Sequence, residues 1–96
     1  MENRVVLTAC IAEAEALRYT PAGLPAIALR LEHESQQDEA GHPREVKDDM
    51  KAVPFGAMAK RLARQNIGSL WALSGFLATP RNGKNAVLHI QDIQQN

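Results

Sequence analysis

Alternation of apolar and polar positions organises most of this chain. Asn3 to Ala12 sets Val5, Leu7, Ala9 and Ile11 against Val6, Thr8, Cys10 and Ala12, which predicts a first strand buried on both faces, with Cys10 inside it. Glu13 to Thr20 keeps Leu17 and Tyr19 at period two and reads as a bent or bulged strand, although AEAEALR also has helical propensity. Pro21-Ala22-Gly23-Leu24-Pro25 predicts the turn of a hairpin. From Ala26 onward, Ile27, Leu29 and Leu31 share one face and Ala28, Arg30, Glu32 and Glu34 the other, so a second strand is half buried. His33 ends its apolar face. No large aliphatic residue occurs between Glu32 and Gly41, which predicts a long polar loop held by its flanks.

Arg44 to Phe55 alternates weakly, with Val46, Asp48, Met50 and Ala52 on one face and Glu45, Lys47, Asp49 and Lys51 on the other. A solvated third strand is expected there, ended or placed at an edge by Pro54. Gly56 then caps a helix over Ala57 to Asn66, with Met58 and Leu62 as its apolar stripe and Asn66 and Gly68 as its stop. Ser69 to Ala78 is a fourth strand in which Gly75 suggests a bulge. A turn centred on Asn82-Gly83, within Thr79 to Asn85, leads to a last strand over Ala86 to Ile93, with Leu88 and Ile90 opposite His89 and Ile93. Five strands with a helix between the third and fourth predict an all-β, five-stranded Greek-key barrel of the OB fold, which binds through its strand 2–3 face and its 1–2 and 4–5 loops. A small SH3-like barrel is the competing architecture, and the full helix before strand four argues against it.

The 96 residues fit a single OB-fold domain over 1–96, with a modest core. No apolar run approaches the ~18 residues of a membrane span, so no membrane association is expected. The N-terminus lacks the pattern of a signal peptide and the lone Cys10 has no intrachain partner, which together point to the cytoplasm. Net charge is zero, yet its distribution is uneven. Glu32, Glu34, Asp38, Glu39, Glu45, Asp48 and Asp49 fall in one stretch, whereas Lys51 to Gln91 contains Lys51, Lys60, Arg61, Arg64, Arg81 and Lys84 and no acid. One part of the chain can meet phosphate without self-competition.

Catalysis needs a nucleophile with a base, or a metal with several ligands, and neither can be assembled from this sequence. His33, His42 and His89 are scattered, and His33 and His89 read as ordinary strand histidines. No enzyme activity, cofactor or metal is expected. A single-strand binder needs cations along a groove and aromatic faces for bases. Arg18 near the first hairpin, Arg44, Lys47 and Lys51 along strand three, and Arg81 and Lys84 in the last hairpin supply cations that converge if the barrel forms. Tyr19 is the aromatic free to face a ligand, while Phe55, Trp71 and Phe76 fit core packing equally well. Lys60, Arg61 and Arg64 read as the wet face of the helix.

NRVVLTACI, the TPAGLP turn, LEHESQQDEAG, GSLWALSGFL and NGKNAVLHIQDI together resemble the PriB family of bacterial primosomal replication proteins, relatives of the single-stranded DNA-binding proteins. The resemblance implies an OB-fold homodimer that binds single-stranded DNA. It further implies a bridge from the restart helicase to later, helicase-loading primosome proteins. Arg18, Arg44, Lys47, Arg81 and Lys84 match basic or DNA-contacting places of that family, and His42 and Lys47 stand where some relatives have stacking aromatics. A second reading is a protein-interaction adaptor in which the acidic stretch Glu32 to Asp49 engages a basic partner. Those acids repel phosphate, so DNA is expected on the cations flanking the stretch and a protein partner on the stretch itself.

Overall fold

The computed structural model describes residues 1–95. Its elements are β1 (Val5–Ala14), β2 (Arg18–Tyr19), β3 (Pro25–Ala26), β4 (Leu29–Glu39), β5 (His42–Pro54), α1 (Ala57–Ala63), β6 (Leu70–Ala78) and β7 (Val87–Gln95). The five long strands close a barrel in the order β1-β4-β5-β7-β6, and β2 and β3 form a two-stranded sheet of their own. Closure comes from a short parallel pairing in which Ala52, Val53 and Pro54 of β5 meet Leu88, His89 and Ile90 of β7. This is the predicted OB barrel, with α1 between β5 and β6.

Inward side chains at period two fill the barrel: Ala9 and Ile11, Leu29 and Leu31, Ala52, Trp71 and Leu73, Leu88 and Ile90. Helix α1 plugs one end with Ala59 and Leu62. Each buried Leu or Ile of this set is worth about 1.5–3 kcal/mol of transfer free energy. β1 is buried on one face rather than both, since Val6 and Thr8 are exposed and Cys10 is half-buried. A barrel strand has a single inward face, and in β1 the other one looks outward. α1 stops at Ala63, short of the expected Asn66, and the Arg61 carbonyl there accepts both the Arg64 backbone N–H and the Gln65 side-chain amide.

Two bulges set which side chains face out. In β1 the register passes from Ile11↔Leu31 to Glu13↔Arg30, so Ala12 is the extra residue and Glu13 is turned to the outer face beside Arg30. In the β6–β7 ladder it passes from Gly75↔Ile90 to Ser74↔Asp92. Gln91 is the extra residue there, and Ile93 rejoins the core face with Ile90 instead of lying opposite it. Gly75 sits at this second bulge, as its place in the strand predicted.

The segment Glu13 to Thr20 is not one bent strand. β1 ends at Ala14, a break follows, and Arg18-Tyr19 pairs with Pro25-Ala26 around the Pro21–Leu24 turn. Thr20 organises that turn: its carbonyl accepts from the Gly23 amide and its hydroxyl from the Leu24 amide. The predicted hairpin is thus present in miniature.

The largest departure is the stretch expected to be a loop. β4 runs unbroken to Glu39 and pairs with β5 as far as Glu39↔His42, so Glu32 to Asp49 is a two-stranded ribbon projecting from the barrel. The long dimension of the molecule is 48 Å against 31 and 20 Å for the others. Backbone pairing begun inside the barrel continues where apolar burial stops, and cross-strand charge pairs support it. The ribbon turns at Ala40 and Gly41, both with positive φ (53° and 81°), the conformation a two-residue hairpin requires. The last hairpin differs as well. Gly83 donates to the Pro80 carbonyl, so Arg81 and Asn82 occupy the centre of the turn and Gly83 closes it.

A Cβ on Gly75 would collide with the His89 backbone carbonyl across the ladder. Gly75→Ala is therefore expected to lower stability by about 1–3 kcal/mol in urea unfolding, with little change in the denaturant slope. Unchanged stability would show that the bulge does not need the close approach.

Candidate nucleic-acid interface

The outer face of β4 and β5 is built by alternation. Because Leu29, Leu31, Ala52 and Met50 turn inward, Arg30, Lys51 and Val53 turn out, and Phe55 follows at the same period. The neighbouring outward residue of β7 is His89, cross-strand partner of both Val53 and Phe76. Its imidazole stacks on Phe76 at 4.9 Å between ring centroids and on Phe55 at 5.6 Å, forming a three-ring array on the barrel exterior. Phe55 remains 38% exposed.

A groove of about 510 Å³ runs over this face, lined by Arg18, Lys51, Phe55, Pro80, Val87 and His89. A second groove, about 550 Å³, adjoins it along Lys51, Pro80, Gly83, Lys84 and Asn85. Arg30 lines both. The two grooves follow the strand face from the β1–β4 connection to the β6–β7 loop. Among the described residues, Arg18, Lys51, Arg81 and Lys84 stand in no ion pair, so their charges are available to a ligand.

Arg30 is occupied. Its Nη1 donates to Glu32 Oε1 at 2.8 Å and to Asp49 Oδ2 at 3.2 Å, and its Nη2 donates to Glu13 Oε1 at 3.2 Å. The hydrogen bonds to Glu32 and then Glu13 raise the guanidinium pKa further above its usual value, so it is always charged.

The eight candidate residues fall into three groups. Arg18 and Lys51 meet in the first groove, and Lys51 and Lys84 in the second. Tyr19 and Arg81 flank these grooves, Tyr19 on β2 with its ring 61% exposed and Arg81 in the β6–β7 turn. His42, Arg44 and Lys47 lie along the ribbon. Arg44 is held by Glu39 at 2.7 Å, and Lys47 is shared between Glu45 at 3.5 Å and Glu34 at 3.6 Å. Lys47 points to the same side as Lys51, while Arg44 and His42 point to the other, so the strand-three cations do not converge as one row.

Phe55, His89 and Arg30 were not singled out by sequence reasoning. Period two running on from Lys51 through Val53 was the available signal for Phe55, and nothing local reports that β7 carries His89 to it. His33, by contrast, is structural. A carbonyl can only accept, so Nδ1–H donates to the Thr8 carbonyl at 2.7 Å and Nε2 accepts from the Ser35 hydroxyl at 2.8 Å. This pins the root of the ribbon to β1. Trp71 is interior, its indole N–H donating to Ser69 Oγ at 2.9 Å with the Arg61 guanidinium 5.9 Å from its ring centroid.

A closed five-stranded barrel with an interstrand helix and a cationic, ring-lined groove on its strand face is the architecture of single-strand binding domains. Accordingly, residues 3–92 match the family described as another single-strand binding protein family. The chain is 44% identical over 94 residues to replication restart protein PriB of Bordetella pertussis, spanning 97% of this chain and 88% of that protein. The PriB structure from Ralstonia solanacearum superposes with a TM-score of 0.92 at 37% identity, covering 99% and 98% of the two chains. A single-stranded DNA-binding protein from Thermus aquaticus shares the fold, with a TM-score of 0.77 at 24% identity over 99% of this chain and 50% of that one. The chain belongs to the replication restart protein PriB family.

Because Trp71 is a core residue, its emission is expected to be blue-shifted and slow to quench with acrylamide, and an oligonucleotide titration should leave it nearly unchanged. Strong quenching by oligo-dT would place a base on the indole and contradict its interior position.

Proposed function

We infer that this chain is one OB domain that binds single-stranded DNA along the two adjoining grooves, as an accessory of the replication-restart primosome. The observation that carries this reading is the alignment of unpaired Arg18, Lys51 and Lys84 with the exposed Phe55 ring on a single face. Phosphates run along the cations while a base stacks on Phe55, whose far side is backed by His89 and Phe76. Arg81 and Tyr19 extend the path at either end. Lys47 on one side of the ribbon and His42 and Arg44 on the other are reached only by strand that leaves the grooves, and there phosphate must replace Glu39 on Arg44 or Glu34 and Glu45 on Lys47. The protein binds rather than catalyses and acts in the cytoplasm, and its similarity to replication restart proteins supports the restart role. No helix among the described residues is long and apolar enough to cross a membrane.

In this role the chain works as a homodimer and bridges the restart helicase to helicase-loading components. Exposed Val6 and Leu70, with half-buried Cys10 of β1 directly opposite Leu70, make an apolar outer surface on β1 and β6 that supports a partner subunit. The acidic ribbon supports the bridging part, and it also favours the second reading, an OB adaptor that contacts proteins while holding DNA weakly. In the adaptor case the isolated protein binds a restart helicase and ignores micromolar oligo-dT.

With three free cations in the grooves, the plot of log K against log salt for oligo-dT should have a slope of about −2, measured by fluorescence anisotropy. Phe55→Ala should weaken binding by about 1–3 kcal/mol, whereas Arg44→Ala should have little effect. Arg81→Ala combined with Lys84→Ala should reduce affinity and flatten the slope. Salt-independent binding would remove the electrostatic account. Sedimentation at low concentration is expected to give the dimer mass, and Val6→Asp to give the monomer.

A further inference from the structure

The Arg30 cluster is unusual in its charge rows. In the β4–β5 ladder Arg30 lies directly opposite Lys51, and Glu32 directly opposite Asp49, so each row sets like charges across from one another. Like pairs in that position are unfavourable, and only the diagonal contacts of Arg30 offset them. A third carboxylate, Glu13, joins because the Ala12 bulge turns it outward. One guanidinium therefore faces three carboxylates, and even with Lys51 opposite Arg30 the five groups keep a formal charge of −1. All three acids are more than half exposed (71%, 55% and 63% of their side chains) and Arg30 is one-third exposed, so no fully buried charge requires the cluster. It sits where the two grooves overlap, since Arg30 and Lys51 line both, Glu13 lines the first and Asp49 the second.

We propose that Glu13, Glu32 and Asp49 act as an internal competitor for phosphate on Arg30, withholding this guanidinium from the nucleic-acid backbone where the two grooves overlap and leaving Arg18, Lys51 and Lys84 to hold DNA. The inference rests on the DNA-binding reading of this face. A phosphate approaching Arg30 competes with carboxylates that already engage both terminal nitrogens, and it meets net negative charge as it does so. Arg18, Lys51 and Lys84 have no such competitor. The cluster thereby sets affinity below what the number of cations on the face would give, and it fixes the route of the strand.

The test compares oligo-dT binding by wild type and by the variant carrying Glu13→Gln, Glu32→Gln and Asp49→Asn, across salt. These substitutions keep side-chain shape at exposed positions, and thermal unfolding checks the fold. Asp49→Asn alone carries the same prediction in smaller measure. Freeing Arg30 should tighten binding about tenfold at low salt and steepen the salt slope by about 0.7, the share of one added phosphate contact. Adding Arg30→Gln to the triple variant should remove the steepening. Unchanged affinity in the triple variant overturns the proposal, as does a gain that persists in full without Arg30, which would be a general charge effect. If neither wild type nor the triple variant binds oligonucleotide at any salt, the DNA-binding reading itself fails. Binding by wild type with no response in the variant removes the competitor alone.

Discussion

The antiparallel ladder between β4 and β5 is the interaction on which the rest of this structure depends. It begins in the barrel wall at Leu29↔Ala52 and continues without interruption to Glu39↔His42. Its first rows bury Leu29, Leu31 and Ala52 and so belong to the core. Its last rows bury almost nothing and are held by backbone hydrogen bonds and exposed ion pairs, each worth about 0.2–1 kcal/mol. An isolated two-stranded ribbon is marginal in water, so the outer rows persist because the inner ones have already fixed their register. The His33 contacts to Thr8 and Ser35 sit at the boundary between these two regimes. Register fixed by the core thus determines which cations face which groove.

That dependence explains which parts of the fold could be read from the chain. Wherever period two coincided with burial, as at Leu29 and Leu31 or at Trp71 and Leu73, the strand and its inward face were legible, although the expected start at Ala26 gives way to a barrel strand beginning at Leu29. The barrel followed from the count of such segments and the helix before the fourth. The β4 half of the ribbon was not legible, although its partner was expected as a strand from Arg44, because the absence of aliphatic side chains removes the signal of burial without removing the capacity to pair. A polar strand and a polar loop look alike until the partner is known. Bulges were half legible: Gly75 marked one, but nothing marked Ala12, and each inverts the face of every residue beyond it. The outward turn of Glu13 and the inward return of Ile93 both follow from such inversions.

The candidate site divides along a similar line. Residue type was readable, and Arg18, Lys51 and Lys84 do line the grooves. Pairing was not. Arg44 and Lys47 are cations of the same kind as Lys51, yet each has carboxylates within 4 Å and Lys51 has none among the described residues. What distinguishes them is what lies across the ladder: Lys47 faces Glu34 and Arg44 reaches Glu39 on the diagonal, whereas Lys51 faces Arg30, which already holds the nearby Glu32 and Asp49. The aromatic half of the site was missed for a related reason. Phe55 follows β5, Phe76 lies in β6 and His89 in β7, and only barrel closure through the short parallel pairing brings the three rings together.

A chain with no net charge can therefore present a face suited to a polyanion, because the opposing charges are spent in different ways. Five of the eleven acids, Glu34, Asp38, Glu39, Glu45 and Asp48, lie out along the ribbon, where salt screens those beyond about 8–10 Å from the groove. There they engage Arg44 and Lys47 in local pairs. Of the acids at the grooves, Glu13, Glu32 and Asp49 are gathered on one guanidinium, and Glu15 lines the first groove beside Arg18. The cations left over are the ones along the two grooves, so the field met by a strand there is set by a few unpaired side chains and not by the total. Net charge is a poor guide to such a protein, since the ladder register decides which charges cancel.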